Sequence, residues 1–159
     1  MRIIAGVAKG RSLASVAGAT RPTSDRAREA LFSTLTSEFG EFENLKFLDL
    51  FAGSGAVGLE ALSRGASVVH AIEKDEYASQ TIRANQEIVE SAKPSGKFHL
   101  YSMSAHKFLE SQMKSHYDII FIDPPYETKS QAIYDLINII LNKNIKNTNI
   151  FLKSFHINK

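Results

Sequence analysis

The chain contains no cysteine. Disulfides, thiolate metal sites and cysteine nucleophiles are therefore excluded, and a reducing cytoplasm is the default compartment. No apolar run approaches the roughly 18 residues a membrane-spanning helix needs. The opening Met1-Arg2-Ile3-Ile4-Ala5-Gly6 is too short an apolar stretch for a signal peptide. Internal repeats and low-complexity tracts are missing. So are several chemical signatures: His70, His99, His106, His116 and His156 show no H-E-x-x-H spacing, and there is neither a G-x-S-x-G elbow nor a Walker motif. No metal site, serine-hydrolase site or NTPase site is expected.

What remains is an ordinary globular composition, 159 residues with 43% hydrophobic and 23% charged, suited to one domain over residues 1–159. The net charge of +2 conceals a partition. Residues 1–30 carry six Lys or Arg against two acids, and residues 129–159 carry five Lys against Asp135. The centre is acidic. Two basic ends around an acidic middle point to a polyanionic partner.

Residues 1–22 mix small, basic and short apolar stretches and read as a basic hairpin or arm outside the core. Pro22 restricts Arg21 and introduces a helix over residues 23–40, capped by Thr23 or Ser24, with Ala27, Ala30, Leu31, Thr34 and Leu35 at helical spacing and Gly40 at its end. From residue 46 short apolar runs alternate with helical stretches. The strands are predicted at Lys46–Leu50, Ser67–Glu73, Lys97–Ser102, Tyr117–Ile122 and Thr148–Phe155. The helices are predicted at Ala56–Arg64, Asp75–Ser91, Ser104–Lys114 and Lys129–Asn142. Such alternation predicts an α/β fold, a doubly wound Rossmann-like parallel sheet with helices on both faces. Ligands then bind beyond the carboxyl ends of the strands, where strand order reverses.

After the first strand comes Asp49-Leu50-Phe51-Ala52-Gly53-Ser54-Gly55-Ala56-Val57-Gly58. The glycines allow a sharp turn and close approach of backbone N–H groups to a ligand. Glu73 ends the next strand, where an acid can bind a ribose. This much suits NAD, FAD or S-adenosylmethionine. Asp49 separates them: a carboxylate there repels a pyrophosphate and attracts an ammonium group.

The fourth strand runs into Asp123-Pro124-Pro125-Tyr126. Two prolines fix the backbone and offer carbonyls without N–H groups. Asp123 adds a carboxylate acceptor and Tyr126 a stacking face. Acceptors without donors, beside an aromatic, suit the exocyclic amine of a base. Such an amine is a poor nucleophile, because its lone pair is delocalised into the ring. Two acceptors on its hydrogens favour a pyramidal nitrogen whose lone pair faces an activated methyl group.

These residues resemble the amino-methyltransferases. Arg2-Ile3-Ile4-Ala5-Gly6, Lys9-Gly10-Arg11, Arg21-Pro22-Thr23, Asp25-Arg26, Arg28-Glu29-Ala30-Leu31-Phe32 and Gly58-Leu59-Glu60-Ala61-Leu62-Ser63-Arg64-Gly65-Ala66 narrow the resemblance to bacterial RsmD-type 16S ribosomal RNA (guanine-N2)-methyltransferases, over about residues 1–130. The resemblance implies S-adenosylmethionine as cofactor. It places Asp49, Phe51, Ala52, Gly53, Ser54 and Gly55 around the methionine part, Glu73 at the ribose, Ser104 and Ala105 near the adenine, and Thr23 at the pocket border. Asp123, Pro124, Pro125 and Tyr126 become the catalytic motif. Arg2, Lys9, Arg11, Arg21, Arg26 and Arg28 become RNA contacts. The partner implied is 16S ribosomal RNA or a small-subunit assembly particle, met by a cytoplasmic monomer.

Two departures from the family pattern stand out. Ser104 replaces the acid usual near the adenine, and the C-terminal antiparallel hairpin is expected to be truncated. The competing readings are an adenine-N6 DNA or RNA methyltransferase, an inactive cofactor- and RNA-binding module and, more distantly, a nicotinamide dehydrogenase. Glu60 is expected to be a solvated or capping acid.

Overall fold

Five parallel strands run through the centre of the molecule, in a computed structural model that describes residues 1–18, 23–113, 116–143 and 148–152. They are β1 (Lys46–Asp49), β2 (Val68–Glu73), β3 (Lys97–Ser102), β4 (Ile119–Ile122) and β5 (Asn149–Leu152), in the order β3-β2-β1-β4-β5. The helices are α1 (Asp25–Phe39), α2 (Ala56–Ser63), α3 (Glu76–Glu90), α4 (Ala105–Ser111) and α5 (Ser130–Asn142). The predicted elements all occur, some of them one or two residues shorter at an end among the described residues. Lys114, residues 153–155 and the expectation for a C-terminal hairpin lie outside the described residues.

Successive strand residues face opposite sides, so a strand covered on both faces must be apolar throughout. In β4, Ile119 and Phe121 pack with Phe32 and Leu35 of α1, Leu59 of α2 and Ile82 of α3. Ile120 and Ile122 pack with Phe108 of α4 and Leu136 of α5. Phe47 and Leu48 of β1 divide between the two cores in the same way.

Ser24 caps α1 by accepting the Ala27 N–H at 3.1 Å, and Gly40 ends the helix at φ 71° with its N–H on the Thr36 carbonyl. The buried stripe of α1 is Arg28, Phe32 and Leu35. Of the residues predicted at helical spacing, Ala27, Ala30 and Thr34 instead face solvent. The larger apolar side chains, Phe32 and Leu35, take the core.

The N-terminal segment corrects a second expectation. It is a hairpin, with Arg2 bridged to Ser12 and the Leu13 N–H donating to the Met1 carbonyl at 2.8 Å. It is also part of the core: Ile3, Ala8 and Leu13 are buried. Polar groups of α2 seat it. Glu60 accepts from the Ile4 and Ala5 N–H groups at 2.8 and 3.0 Å, and Ser63 Oγ accepts from the Ala8 N–H at 3.0 Å. Glu60 is fully buried, also accepts from Arg64 Nε at 2.9 Å, and is an anchor for the hairpin instead of a solvated acid. Gly6 makes the close approach feasible, because a Cβ there would lie 1.8 Å from the Ser63 carbonyl oxygen.

Candidate functional site

Strand order reverses between β1 and β4, which lie side by side. Their carboxyl ends bring the glycine loop and the Asp-Pro-Pro-Tyr turn to the same edge of the sheet, where folds of this kind bind ligands. The Leu50 N–H donates to the Phe121 carbonyl at 3.1 Å, and the Ala52 N–H to the Ile72 carbonyl at 2.9 Å. The loop thus leaves the sheet tied to both neighbouring strands.

Gly53 and Gly55 both adopt left-handed backbone, at φ 56° and 78°. Gly55 begins α2 without a side-chain cap. A Cβ on Gly53 would meet no protein atom within 4 Å, so the loop presents open space there. Gly58 has another task. A Cβ on it would come within 3.0 Å of Val69 and 3.2 Å of Phe98, so this glycine brings α2 close to the sheet.

Glu73 clamps the loop. Its Oε2 accepts the Gly53 N–H at 2.8 Å and its Oε1 the Asp75 N–H at 2.9 Å. A carboxylate has about four lone-pair sites, so both oxygens keep capacity for ribose hydroxyls. Asp49 is buried at the end of β1, with the Phe51 N–H on its Oδ1 at 3.3 Å. Burial raises its pKa to about 7; the nearby Asp123 and Glu73 charges push the same way, while the Phe51 and Gly58 N–H groups pull it down. Among the described residues no basic side chain pairs with Asp49. A buried carboxyl among acids, beside open space over Gly53, fits a cationic ligand such as the ammonium and sulfonium of S-adenosylmethionine.

At the end of β4, Thr23 Oγ1 donates to Asp123 Oδ2 at 3.5 Å. The segment entering α1 therefore reaches the predicted catalytic carboxylate itself. Pro124 is buried, Pro125 is exposed, and Tyr126 projects with 85% of its surface open. The Pro125 carbonyl accepts the Thr128 N–H at 2.9 Å. Of the two prolyl carbonyls, Pro124 is the one without a protein donor among the described residues. Ser104 spends its hydroxyl on capping α4, accepting the Lys107 N–H at 3.2 Å, and Ala105 is buried beside it.

The basic residues separate. Arg2, Lys9, Arg11 and Arg26 are exposed. Arg21 lies outside the described residues. Arg28 is fully buried: its Nη2 donates to Asp25 Oδ1 and to the Arg2 carbonyl, both at 2.6 Å. Desolvation lowers its pKa against the raising influence of Asp25 and Glu60. It cannot reach a phosphate, and its part is to hold the hairpin on α1.

The sequence reading missed Asn85 on α3, which is fully buried and binds both the hairpin and the glycine loop. A polar residue in the apolar stripe Ala78, Ile82, Asn85, Val89 was its signal. Among the histidines, His70 bonds the Tyr117 hydroxyl at 2.6 Å, and burial first, then His99 and Lys46, lower its pKa to about 4. Among the described residues no group of three or more His, Asp or Glu could hold a metal. Nor is any helix long and apolar enough to cross a membrane.

A doubly wound sheet whose switch point carries a glycine loop and an Asp-Pro-Pro-Tyr turn has the architecture of a Rossmann-like methyltransferase. Comparison with known proteins agrees. The family described as Conserved hypothetical protein 95 matches residues 1–154. The Bacillus subtilis protein YlbH is 40% identical over 142 residues, spanning 87% of this chain and 74% of its own. Ribosomal RNA small subunit methyltransferase D of Haemophilus influenzae is 37% identical over 79% of this chain and 64% of its own length. The Escherichia coli K12 protein of that name is 39% identical over 79% of this chain and 60% of its own. The chain thus spans less than two thirds of the two D methyltransferases. Among solved structures, the Escherichia coli protein yhhF superposes with a TM-score of 0.76 at 32% identity, covering 97% of this chain and 80% of its own. The chain belongs to this RsmD-type ribosomal RNA methyltransferase family.

Proposed function

We propose that the chain transfers a methyl group from S-adenosylmethionine to the exocyclic N2 amine of a guanine in 16S ribosomal RNA. One observation carries this reading. A buried carboxyl with no basic partner among the described residues (Asp49) and an acceptor-rich turn (Asp123 to Tyr126) stand at the ends of two neighbouring strands, one suited to a cation and the other to a base amine.

When bound, S-adenosylmethionine supplies a methyl group already activated by its sulfonium. Asp49 faces the ammonium of that cofactor, and Glu73, held by Gly53 and Asp75, receives the ribose hydroxyls. Gly53 and Gly55 let the backbone close on the methionine part, with Phe51, Ala52 and Ser54 forming the rest of the loop. Asp123 and the Pro124 carbonyl accept the two amine hydrogens and direct the nitrogen lone pair at the methyl carbon. Methylation of the amine would release one proton, which the Asp123 carboxylate already hydrogen-bonded to that nitrogen would take and pass to solvent. Tyr126 stacks on the base, and Thr23 steadies Asp123. Catalysis is orientation and electrostatics. Arg2, Lys9, Arg11 and Arg26 hold RNA phosphates, and the substrate is naked 16S ribosomal RNA or a small-subunit assembly particle. We place the protein in the cytoplasm as a monomer.

The test uses labelled cofactor with 16S ribosomal RNA, unmodified small subunits and duplex DNA. Label on N2-methylguanosine in either RNA substrate supports the reading. Label on N6-methyladenine in DNA overturns it in favour of an adenine enzyme, and no label on any substrate overturns it in favour of an inactive module.

A further inference from the structure

The hairpin that carries the proposed RNA contacts and the loop proposed to hold the cofactor share one buried side chain. Asn85 Oδ1 accepts the Ala14 N–H at 2.8 Å, closing the outgoing strand of the hairpin onto α3. Its Nδ2 donates to the Ala14 carbonyl at 2.9 Å and to the Ser54 carbonyl at 2.9 Å. Both amide hydrogens and the amide oxygen are thus engaged, and Ser54 lies between Gly53 and Gly55. Further contacts join the same two units. Ser54 Oγ meets Met1 Sδ at 3.7 Å, and α2, whose N-cap is Gly55, holds the hairpin through Glu60 and Ser63. Just before α1, Thr23 touches Asp123.

We propose that Asn85 is a positioning residue that couples the arm to the glycine loop, so that cofactor and RNA bind with positive cooperativity. This rests on the functions proposed above for the two elements. The physical basis is shared ordering. An Asn with three fixed partners holds its best geometry only when the Ser54 carbonyl and the Ala14 backbone are both in place. A ligand that fixes the loop lowers the ordering needed to fix the arm, and the converse holds with the same factor. The carbonyls of Ser54 and Ala14 cannot both be satisfied by any smaller side chain, and an Asp at this position offers them no hydrogens.

The experiment measures the affinity of 16S ribosomal RNA for the full chain with and without saturating S-adenosylhomocysteine, and the affinity of S-adenosylhomocysteine with and without RNA. The wild-type chain should show about a fivefold or larger tightening, equal in the two directions. Asn85→Asp removes the amide donors. Ala14→Pro removes the arm N–H at an exposed position without replacing a buried side chain. In each variant that folds, both ligands should still bind and the coupling factor should fall toward one. Hydrogen exchange on the wild-type chain provides a readout independent of either substitution: S-adenosylhomocysteine alone should slow exchange in residues 1–18. Independent binding of the two ligands overturns the coupling while leaving the methyltransferase reading intact. So does unchanged exchange in residues 1–18, or a coupling factor that survives both substitutions. Failure of the wild-type chain to bind either ligand overturns the methyltransferase reading and the coupling together.

Discussion

The Gly53 N–H donates to Glu73 Oε2 at 2.8 Å, twenty residues away in the chain. The acid proposed for the ribose is therefore also the clamp that shapes the loop for the methionine part. Glu73→Ala should lose both, weakening cofactor binding by roughly 10- to 100-fold, as expected for loss of a charge-assisted hydrogen-bonding group. Glu73→Gln keeps one acceptor and should fall between. Isothermal calorimetry with S-adenosylhomocysteine measures this, and unchanged affinity in Glu73→Ala would remove Glu73 from the site.

Gly53 offers a cleaner separation of stability from binding. Its φ of 56° favours glycine, but no protein atom lies within 4 Å of an added Cβ. Asn tolerates left-handed backbone. Gly53→Asn should therefore cost less than about 1 kcal/mol of stability in denaturant titration, yet abolish measurable cofactor binding. Gly55→Val combines a φ of 78° with Ile82 at 3.2 Å and should lose stability as well, by about 1–3 kcal/mol. A Gly53→Asn chain that binds cofactor normally would show that the open space has another use.

Asp49 sets a pH dependence whose sign follows from its raised pKa, from 3.8 to about 7. A carboxyl raised on folding stabilises the folded state fully below about pH 4. That contribution is lost as pH rises toward 7 and is absent above it. A bound cation favours the ionised form, so cofactor affinity should rise with pH through about 7 and then level off. Asp49→Asn should raise the Tm of the ligand-free chain at pH 8, weaken cofactor binding and flatten its pH profile. Calorimetry between pH 5.5 and 8.5 checks this; an affinity that falls with rising pH would reverse the assignment.

The turn proposed for catalysis should behave differently from the loop proposed for the cofactor. Asp123→Ala is expected to lower kcat by about a hundredfold or more, in the manner of a lost transition-state contact, with cofactor affinity nearly unchanged. Tyr126 is 85% exposed, so its ring and not its hydroxyl is the useful group. Tyr126→Phe should keep activity, and Tyr126→Ala should lose about 10- to 100-fold in kcat/KM, the scale of one base stacking contact. Equal activity of Asp123→Ala and wild type in single-turnover assays would refute the role of the turn.

On the arm, Lys9→Ala and Arg11→Ala should each reduce the slope of log affinity against log salt by about one or less. Arg28→Ala should act through the fold. It leaves Asp25 and the Arg2 carbonyl without their 2.6 Å partner and should lower Tm even without RNA. A salt slope unchanged in Lys9→Ala and Arg11→Ala would return those side chains to a solvated surface.

The core fold was legible because its signals are local. Apolar runs such as Ile119–Ile122, glycines after β1 and caps such as Ser24 each declare themselves within a few residues. The hairpin was misjudged because what seats it is distant: Glu60, Ser63 and Asn85 lie 55 to 71 residues from their partners in the arm. Glu60 still left a trace, as the one charge in the otherwise apolar and small helix AVGLEALS. Arg28 was misread because its charge is visible in sequence while its burial, set by the fold of residues 1–13 over α1, is not. At the site, residue types indicated ligand chemistry, but the Thr23–Asp123 contact joins positions 100 residues apart and only the fold reveals it.

The most direct measurement is nucleoside mass spectrometry of small-subunit ribosomal RNA from cells with and without the gene. On the proposed function, one N2-methylguanosine should disappear on deletion and return with the wild-type gene but not with an Asp123→Ala copy. An N2-methylguanosine content that is the same in all three strains would contradict it.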